Sequence, residues 1–381
     1  MRVFHVSDCY APRVGGVESQ IRDLAHAQVA AGHEVHVLTV EPDPAAGESK
    51  SVMEDDGLMV HRMGAHLPFN APFNPAAPRR THRIVRELVP DVIHVHAGTF
   101  SPFSYGVARV ALAEGVPLAT TWHSMLDHAW PVLRPWTLAT GWSQTPIAWS
   151  AVSRVAADQV ARVFNAEVGI LHNGIDVAAW QPDGEETPTT ASPLRCVATM
   201  RLVPSKRTLD LIDIFAEALS DLPEGAMTLD LFGNGPERWR IKRRIARHGL
   251  GSVVTLHGRA LRQELANIYR SAHLFCAPAT REAFGIAVLE ARTAGLVVLG
   301  RRGTGISEFI DSARDGLLVD SDREFARELT RMATDSDAFQ ALRSEARSST
   351  PPFGIDRVVA ASFEEYERAR ALRMGHAFSS H

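Results

Sequence analysis

The chain reads as α/β, with two doubly wound parallel-sheet domains in succession, and three observations predict this. Short apolar runs alternate with amphipathic helical stretches from end to end, the pattern of strand–helix–strand units. At 381 residues the chain exceeds what one ordinary core holds. The stretch Gln181–Pro193 is polar and rich in Pro and Gly, and it breaks the alternation as a linker does. The expected boundaries are 1–185, 194–354 and a closing helix over 355–375. Two such domains predict a ligand cleft between them, at the carboxyl ends of the strands.

Each strand expectation rests on a brief apolar or β-branched run, each helix on longer amphipathic spacing. In the first domain the runs at 2–6, 34–40, 59–62, 92–95, 117–121, 146–152 and 168–171 predict strands. Helices are predicted over 18–31, 79–88, 103–113, 135–141 and 154–164. In the second domain strands are predicted at 194–199, 229–232, 253–256, 274–277, 297–299 and 316–319, with helices between.

Composition excludes several classes. Apolar content of 45% with 22% charged residues is that of a folded globular protein. A net charge of −4 argues against a general nucleic-acid binder. No apolar run approaches the ~18–20 residues of a membrane span, and the N-terminus reads as a strand without a signal-peptide apolar region. A cytoplasmic protein is expected. Cys9, Cys196 and Cys276 are odd in number and far apart, and read as buried free thiols.

The most informative window is Glu282-Ala-Phe284-Gly285-Ile286-Ala-Val-Leu-Glu290. Two carboxylates flank a Phe-Gly hinge that opens a helix, whose free N–H groups form an anion site. That arrangement suits a ligand with hydroxyls at both ends and phosphate in the middle, the shape of a nucleotide-sugar. Only three of the 40 basic residues are Lys, so each is a candidate for a site needing a compact ammonium. Lys50 lies in a polar loop and Lys242 among arginines. Lys206, with Arg201, lies on the loop after a strand, placed to clamp a diphosphate and stabilise a departing nucleotide. Gly233-Asn234-Gly-Pro follows another strand, as a bare turn or a lip of the nucleotide pocket, and Arg259 follows a third, beside the base. Gly15-Gly16 opens the first helix; paired glycines there admit a phosphate or make a plain turn. His123 ends a strand. His94 and His96 are read as facing opposite sides of theirs and receive no role. Asp320-Ser-Asp322 and Asp335-Ser-Asp337 read as helix caps, so no metal or other cofactor is expected.

Taken together, Gly15-Gly16-Val-Glu18, Asp91–His96, His123, His172–Asp176, Arg201 with Lys206, Gly233–Pro236 and Glu282 to Glu290 resemble the retaining family 4 glycosyltransferases of GT-B fold. In that fold two Rossmann-like parallel-sheet domains face each other across a cleft. The resemblance implies Gly16 near the donor phosphate, His123 against the transferred sugar, and Arg201 and Lys206 on the diphosphate. It also implies Glu282 on sugar hydroxyls, Glu290 on the ribose, and the amides of Phe284, Gly285 and Ile286 on phosphate and sugar. The tail helix is implied to cross back onto the first domain. The chain looks most like actinobacterial mannosyltransferases that build phosphatidylinositol mannosides from GDP-mannose.

The acceptor has two signals. Arg79, Arg83 and Arg86, with Arg80 beside them, give one helix a basic face, and five of seven Trp residues crowd into 122–149. Both features suit an anionic membrane surface at the inner face of the plasma membrane, and both also arise from a solvated helix over an aromatic core. A soluble acceptor is therefore the competing expectation, and a nucleotide-sugar epimerase or a non-catalytic binding protein are the outside ones.

Overall fold

The structure is a computed structural model that describes residues 1–13, 15–42, 51–64, 74, 76–127, 129–182 and 193–379. Lys50 and most of the expected linker lie outside the described residues. The chain forms two compact units, Met1–Ile175 with Phe353–His381, and Asp176–Pro352.

Unit 1 contains β1 (Arg2–Ser7), α1 (Gly16–Ala30), β2 (Glu34–Thr39), β3 (Ser51–Asp55), β4 (Leu58–Arg62), α2 (Ala77–Leu88), β5 (Val92–Ala97), α3 (Pro102–Glu114), β6 (Leu118–Trp122), α4 (Trp130–Ala139), β7 (Ile147–Ala151), α5 (Arg154–Phe164) and β8 (Val168–Ile170). Unit 2 contains α6 (Val177–Trp180), β9 (Leu194–Thr199), α7 (Thr208–Ser220), β10 (Met227–Phe232), α8 (Arg238–Arg247), β11 (Val254–Leu256), α9 (Arg262–Ser271), β12 (Leu274–Ala277), α10 (Ile286–Thr293), β13 (Val297–Arg301), β14 (Gly316–Val319), α11 (Asp322–Thr334) and α12 (Ser336–Ser348). The last helix, α13 (Ile355–Ser379), belongs to unit 1.

The sheets run β3-β4-β2-β1-β5-β6-β7-β8 and β11-β10-β9-β12-β13-β14. Every pairing is parallel except β3–β4. In each sheet strand order reverses beside the first strand, at β1/β5 and at β9/β12. Loops diverge there at the carboxyl ends and leave room for a ligand. The β3–β4 hairpin was not anticipated, although its turn, Asp56 at φ 47° and Gly57 at φ 82°, is the Asp-Gly pair that such hairpins favour.

Unit 1 ends at Ile175 rather than near 185, because α6 packs with unit 2: Trp180 stacks on Tyr269 of α9 with ring centroids 5.6 Å apart. Helix α13 buries Tyr366 and Ala369 against Val3, Val92, Ala119 and Ala148, one from each of four neighbouring strands. Two residues farther along each strand that face turns polar: His5, His94, Thr121 and Ser150 are all buried. His94 and His96 therefore share a face, with ring centroids 4.2 Å apart. The expectation that they point to opposite sides was wrong, since side chains two apart on a strand return to the same side.

Trp122 and Trp149 are core residues packed on Phe164, and buried Trp142 packs on Trp149, so most of the Trp cluster is interior. Trp130 is exposed on α4. Cys196 and Cys276 are buried, but Cys9 is only partly so. Ser321 and Asp335 cap α11 and α12, accepting from Glu324 and Ala338. In the first acidic motif the cap is thus the Ser between the two acids, while Asp322 pairs with Arg207 at 2.8 Å.

Candidate functional site

The unit 2 site grows from the loops after β9 and β12, which flank the strand reversal. After β9 a short 3-10 turn, Pro204–Lys206, ends at Arg207 in a left-handed conformation (φ 56°). Arg207 is anchored by Asp210 and Asp322, which fixes the turn that carries Lys206. After β12, Glu282 is held by its carbonyl, which accepts from the Gly305 N–H at 2.7 Å. Glycine is required at 305 because a Cβ would lie 2.0 Å from the Ala283 carbonyl oxygen. The two loops meet where Lys206 Nζ donates to Glu282 Oε2 at 2.5 Å, both side chains partly exposed.

Gly285, at φ 90°, precedes the first residue of α10, Ile286. A side chain at 285 would collide with Ile306 at 2.7 Å, so the helix tip is kept bare. Its first N–H groups lack intrahelical acceptors and carry the positive end of the dipole. Phe284 is buried against Phe309 and pins the hinge. Glu290, one turn into α10, is buried, 3.3 Å from Arg262 Nη2. Burial and then the Glu290 charge push the Tyr269 hydroxyl up. Arg262 also lies over the Trp180 ring at 5.7 Å. Sequence reasoning missed Arg262, Tyr269 and Trp180. The first two stand seven residues apart on α9, hence on one face, which was the available signal.

Gly233 and Gly235 brace the Arg201 loop. A Cβ on Gly233 (φ 136°) would lie 1.9 Å from the Met200 carbonyl oxygen, and one on Gly235 2.4 Å from that of Leu202. Leu202 N–H donates to Asn234 O at 3.0 Å, and Gly233 N–H to Gly258 O at 2.8 Å, which sets the Arg259 loop beside the turn. The Asn234 side chain accepts from Gly235 N–H. Arg201 and Arg259 are exposed. Between these loops the His257 ring stacks on Phe232 at 4.4 Å and 4° and contacts Asp230 at 2.6 Å. Gly233→Ala should destabilise unit 2 by ~1–3 kcal/mol, the cost of a strained backbone position, in urea unfolding. Gly249→Ala, also at positive φ but with open space, should cost less; equal losses would contradict the brace.

In unit 1, Gly16 is the exposed first residue of α1. His123 follows β6, and its Nε2 lies 3.0 Å from His96 Nδ1. Burial lowers its pKa to about 4, and the Asn173 side chain beside it opposes that fall, although Nδ1 receives no hydrogen bond of ordinary geometry. On α2, Arg79, Arg83 and Arg86 are exposed while Thr81 and Val85 are buried. Arg86 is tied to Glu114 of α3 at 2.9 Å; Arg80 is partly buried.

The Glycosyltransferase Family 4 pattern matches residues 14–179, and the Glycosyl transferases group 1 pattern matches residues 195–349. A D-inositol 3-phosphate glycosyltransferase of Arthrobacter sp. (strain FB24) is 26% identical, over 93% of this chain and 90% of that protein. A GDP-mannose:cellobiosyl-diphosphopolyprenol alpha-mannosyltransferase of Xanthomonas campestris is 24% identical, over 97% of each. The crystal structure of Anabaena Alr3699/HepE in complex with UDP and glucose superposes with a TM-score of 0.74 at 18% identity, covering 96% of this chain and 98% of that one. With these two domains in tandem and a GT-B fold, the chain belongs to the family 4 glycosyltransferases.

Proposed function

We propose that the protein transfers mannose from GDP-mannose, with retention of configuration, onto a phosphatidylinositol mannoside-type lipid in α linkage. The observation that carries the transferase chemistry is the meeting of Lys206 and Glu282 beside the bare tip of α10. Arg201 and Lys206 hold the diphosphate, the amides of Phe284, Gly285 and Ile286 at the tip of α10 take phosphate and sugar, Glu282 takes sugar hydroxyls and Glu290 the ribose. Gly233, Asn234 and Arg259 border the base. Gly16 and His123 are assigned to phosphate and sugar by resemblance alone.

The bond from the anomeric carbon to the phosphate oxygen breaks, the acceptor oxygen bonds to that carbon on the same face, and its proton passes to the leaving phosphate. Charge grows on the leaving oxygen, where cations and oriented amides stabilise the transition state more than the ground state. No resident metal is required in this scheme.

Mannose is supported by the Xanthomonas relative's donor. A lipid surface is supported by exposed Arg79 and Arg83 on α2 and by exposed Trp130, Val132 and Leu138 on α4; no helix among the described residues is long and apolar enough to cross a membrane. A soluble inositol phosphate is the second reading, favoured by the burial of three of the Trp residues, by the Arg86–Glu114 pair and by the Arthrobacter relative. Sedimentation with vesicles decides. Phosphatidylinositol vesicles should pull the protein down, phosphatidylcholine vesicles should not, and Arg79→Glu with Arg83→Glu should abolish the difference. Equal partitioning of the unaltered protein would rule out the membrane surface.

A further inference from the structure

A chain of buried hydrogen bonds in unit 1 ends on His123, and its direction can be derived. Gln28 of α1 donates through Nε2 to Ser362 Oγ (2.9 Å) and Tyr366 OH (3.0 Å) on α13. The Ser362 hydroxyl hydrogen is committed to the Val359 carbonyl at 2.6 Å, so Ser362 can only accept from Gln28. That fixes the amide with its nitrogen toward α13 and its Oε1 toward His5, 2.8 Å from Nε2. An amide oxygen only accepts, so His5 carries its proton on Nε2 and accepts on Nδ1. The next contact, His96 Nε2 to His5 Nδ1 at 2.9 Å, places the His96 proton on Nε2. By the same step His123 Nε2–H donates to His96 Nδ1 at 3.0 Å.

The neighbouring branch runs consistently. Tyr366 OH donates to His94 Nδ1 (3.0 Å), His94 Nε2–H to Thr121 Oγ1 (2.7 Å), Thr121 to Ser150 (2.8 Å), and Ser150 to the Thr120 carbonyl (3.3 Å). No buried imidazole in the set needs a second proton, in keeping with burial holding all four well below the usual histidine pKa. His5, His94 and His96 also bring ring nitrogens within 4.8 Å of one another, a spacing an ion can bridge. Every ring nitrogen of those three, however, already has a hydrogen-bond partner, and an ion would break bonds that account for them all.

We propose that Gln28, His5 and His96 are positioning residues that hold His123 in one tautomer, protonated on Nε2. His123 Nδ1 is thereby a fixed acceptor, and the ring cannot serve as a proton donor from that edge. The role of His123 at the sugar rests on the glycosyl-transfer reading; the tautomer does not.

Long-range ¹⁵N–¹H spectra of the full chain with ¹⁵N-labelled histidine test it. In the unaltered protein without substrate, His123 should favour the Nε2–H form about fivefold or more, the ratio one net hydrogen bond sets. In Gln28→Met, which removes the terminal acceptor, the two forms should approach equal population. A wild-type His123 protonated on Nδ1, an unchanged tautomer in a folded Gln28→Met protein, or stoichiometric metal on the purified chain by elemental analysis would each overturn the relay. Titrating GDP-mannose and then GDP alone into the labelled protein tests the sugar contact separately. A shift of the His123 Nδ1 signal with the sugar and not with GDP supports that contact, and no shift at saturating donor removes it with the relay intact.

Discussion

Lys206→Ala and Arg201→Ala should each lower kcat by ~10²–10³, the loss that follows removal of one preorganised charge at a developing oxyanion. Stability should barely change. The Lys206–Glu282 pair is partly exposed on both sides, and exposed ion pairs contribute ~0–1 kcal/mol, so the loss of turnover cannot be ascribed to unfolding. Lys206→Arg separates charge from shape. Guanidinium retains the charge but replaces a point donor with a planar fork on a differently built stem, and only partial recovery is expected. Lys206→Ala also leaves the Glu282 carboxylate without its cation and adds negative charge at the proposed diphosphate position, so the donor KM should rise along with the fall in kcat. Steady-state kinetics of both variants is the check. Turnover within threefold of wild type in both would remove the clamp.

Acid should open unit 1 before unit 2. In unit 1, burial lowers the pKa of His5, His61 and His123 from 6.5 to about 4, and that of His94 and His96 well below 6.5; in unit 2 only His273, among the described residues, is so lowered. A histidine whose folded pKa is depressed binds more protons when unfolded, so stability falls as pH drops from 6.5 toward 4. Between pH 7 and pH 5 a group such as His5 removes ~2 kcal/mol, from the 1.36 kcal/mol per pKa unit that linkage sets. Asp8 works against this: burial raises its pKa although Ser104 and Phe103 donate to it, so part of its proton uptake favours the folded state in acid. Burial also raises Glu365 on α13, and five histidines outweigh these two carboxyls. Hydrogen exchange should show β1 and β5 peptides losing protection over that range, after correction for intrinsic rates, while β9 and β10 peptides lose less. Equal losses in both units would contradict it.

Much of this architecture was legible from spacing. Strands such as 194–199 and 92–95 are brief apolar runs between helical patterns, and parallel pairing in α/β units follows from that alternation. Lys206 stood out because the chain otherwise writes Arg, and its contact with Glu282 follows from two loops flanking a strand reversal. What sequence does not reveal is which distant side chains a fold brings together. Arg262 reaches Glu290, and Trp180, expected in the first domain, packs on Tyr269 of the second, through contacts spanning tens of residues. The His5–His96–His123 chain was half legible, since period two places His94 and His96 on one face, and a mistaken period concealed it. Gln28 and Tyr366 join that chain only because α1 and α13 cover the same side of the sheet.

The most direct test is calorimetric titration of GDP and UDP into wild type and into the Arg201→Ala/Lys206→Ala double variant. A nucleoside diphosphate should bind the wild-type chain one to one and bind the folded double variant at least about a hundredfold more weakly, as expected when two charge-assisted phosphate contacts of ~1.5 kcal/mol or more each are lost. Undiminished affinity in the double variant would show that these cations do not hold the diphosphate.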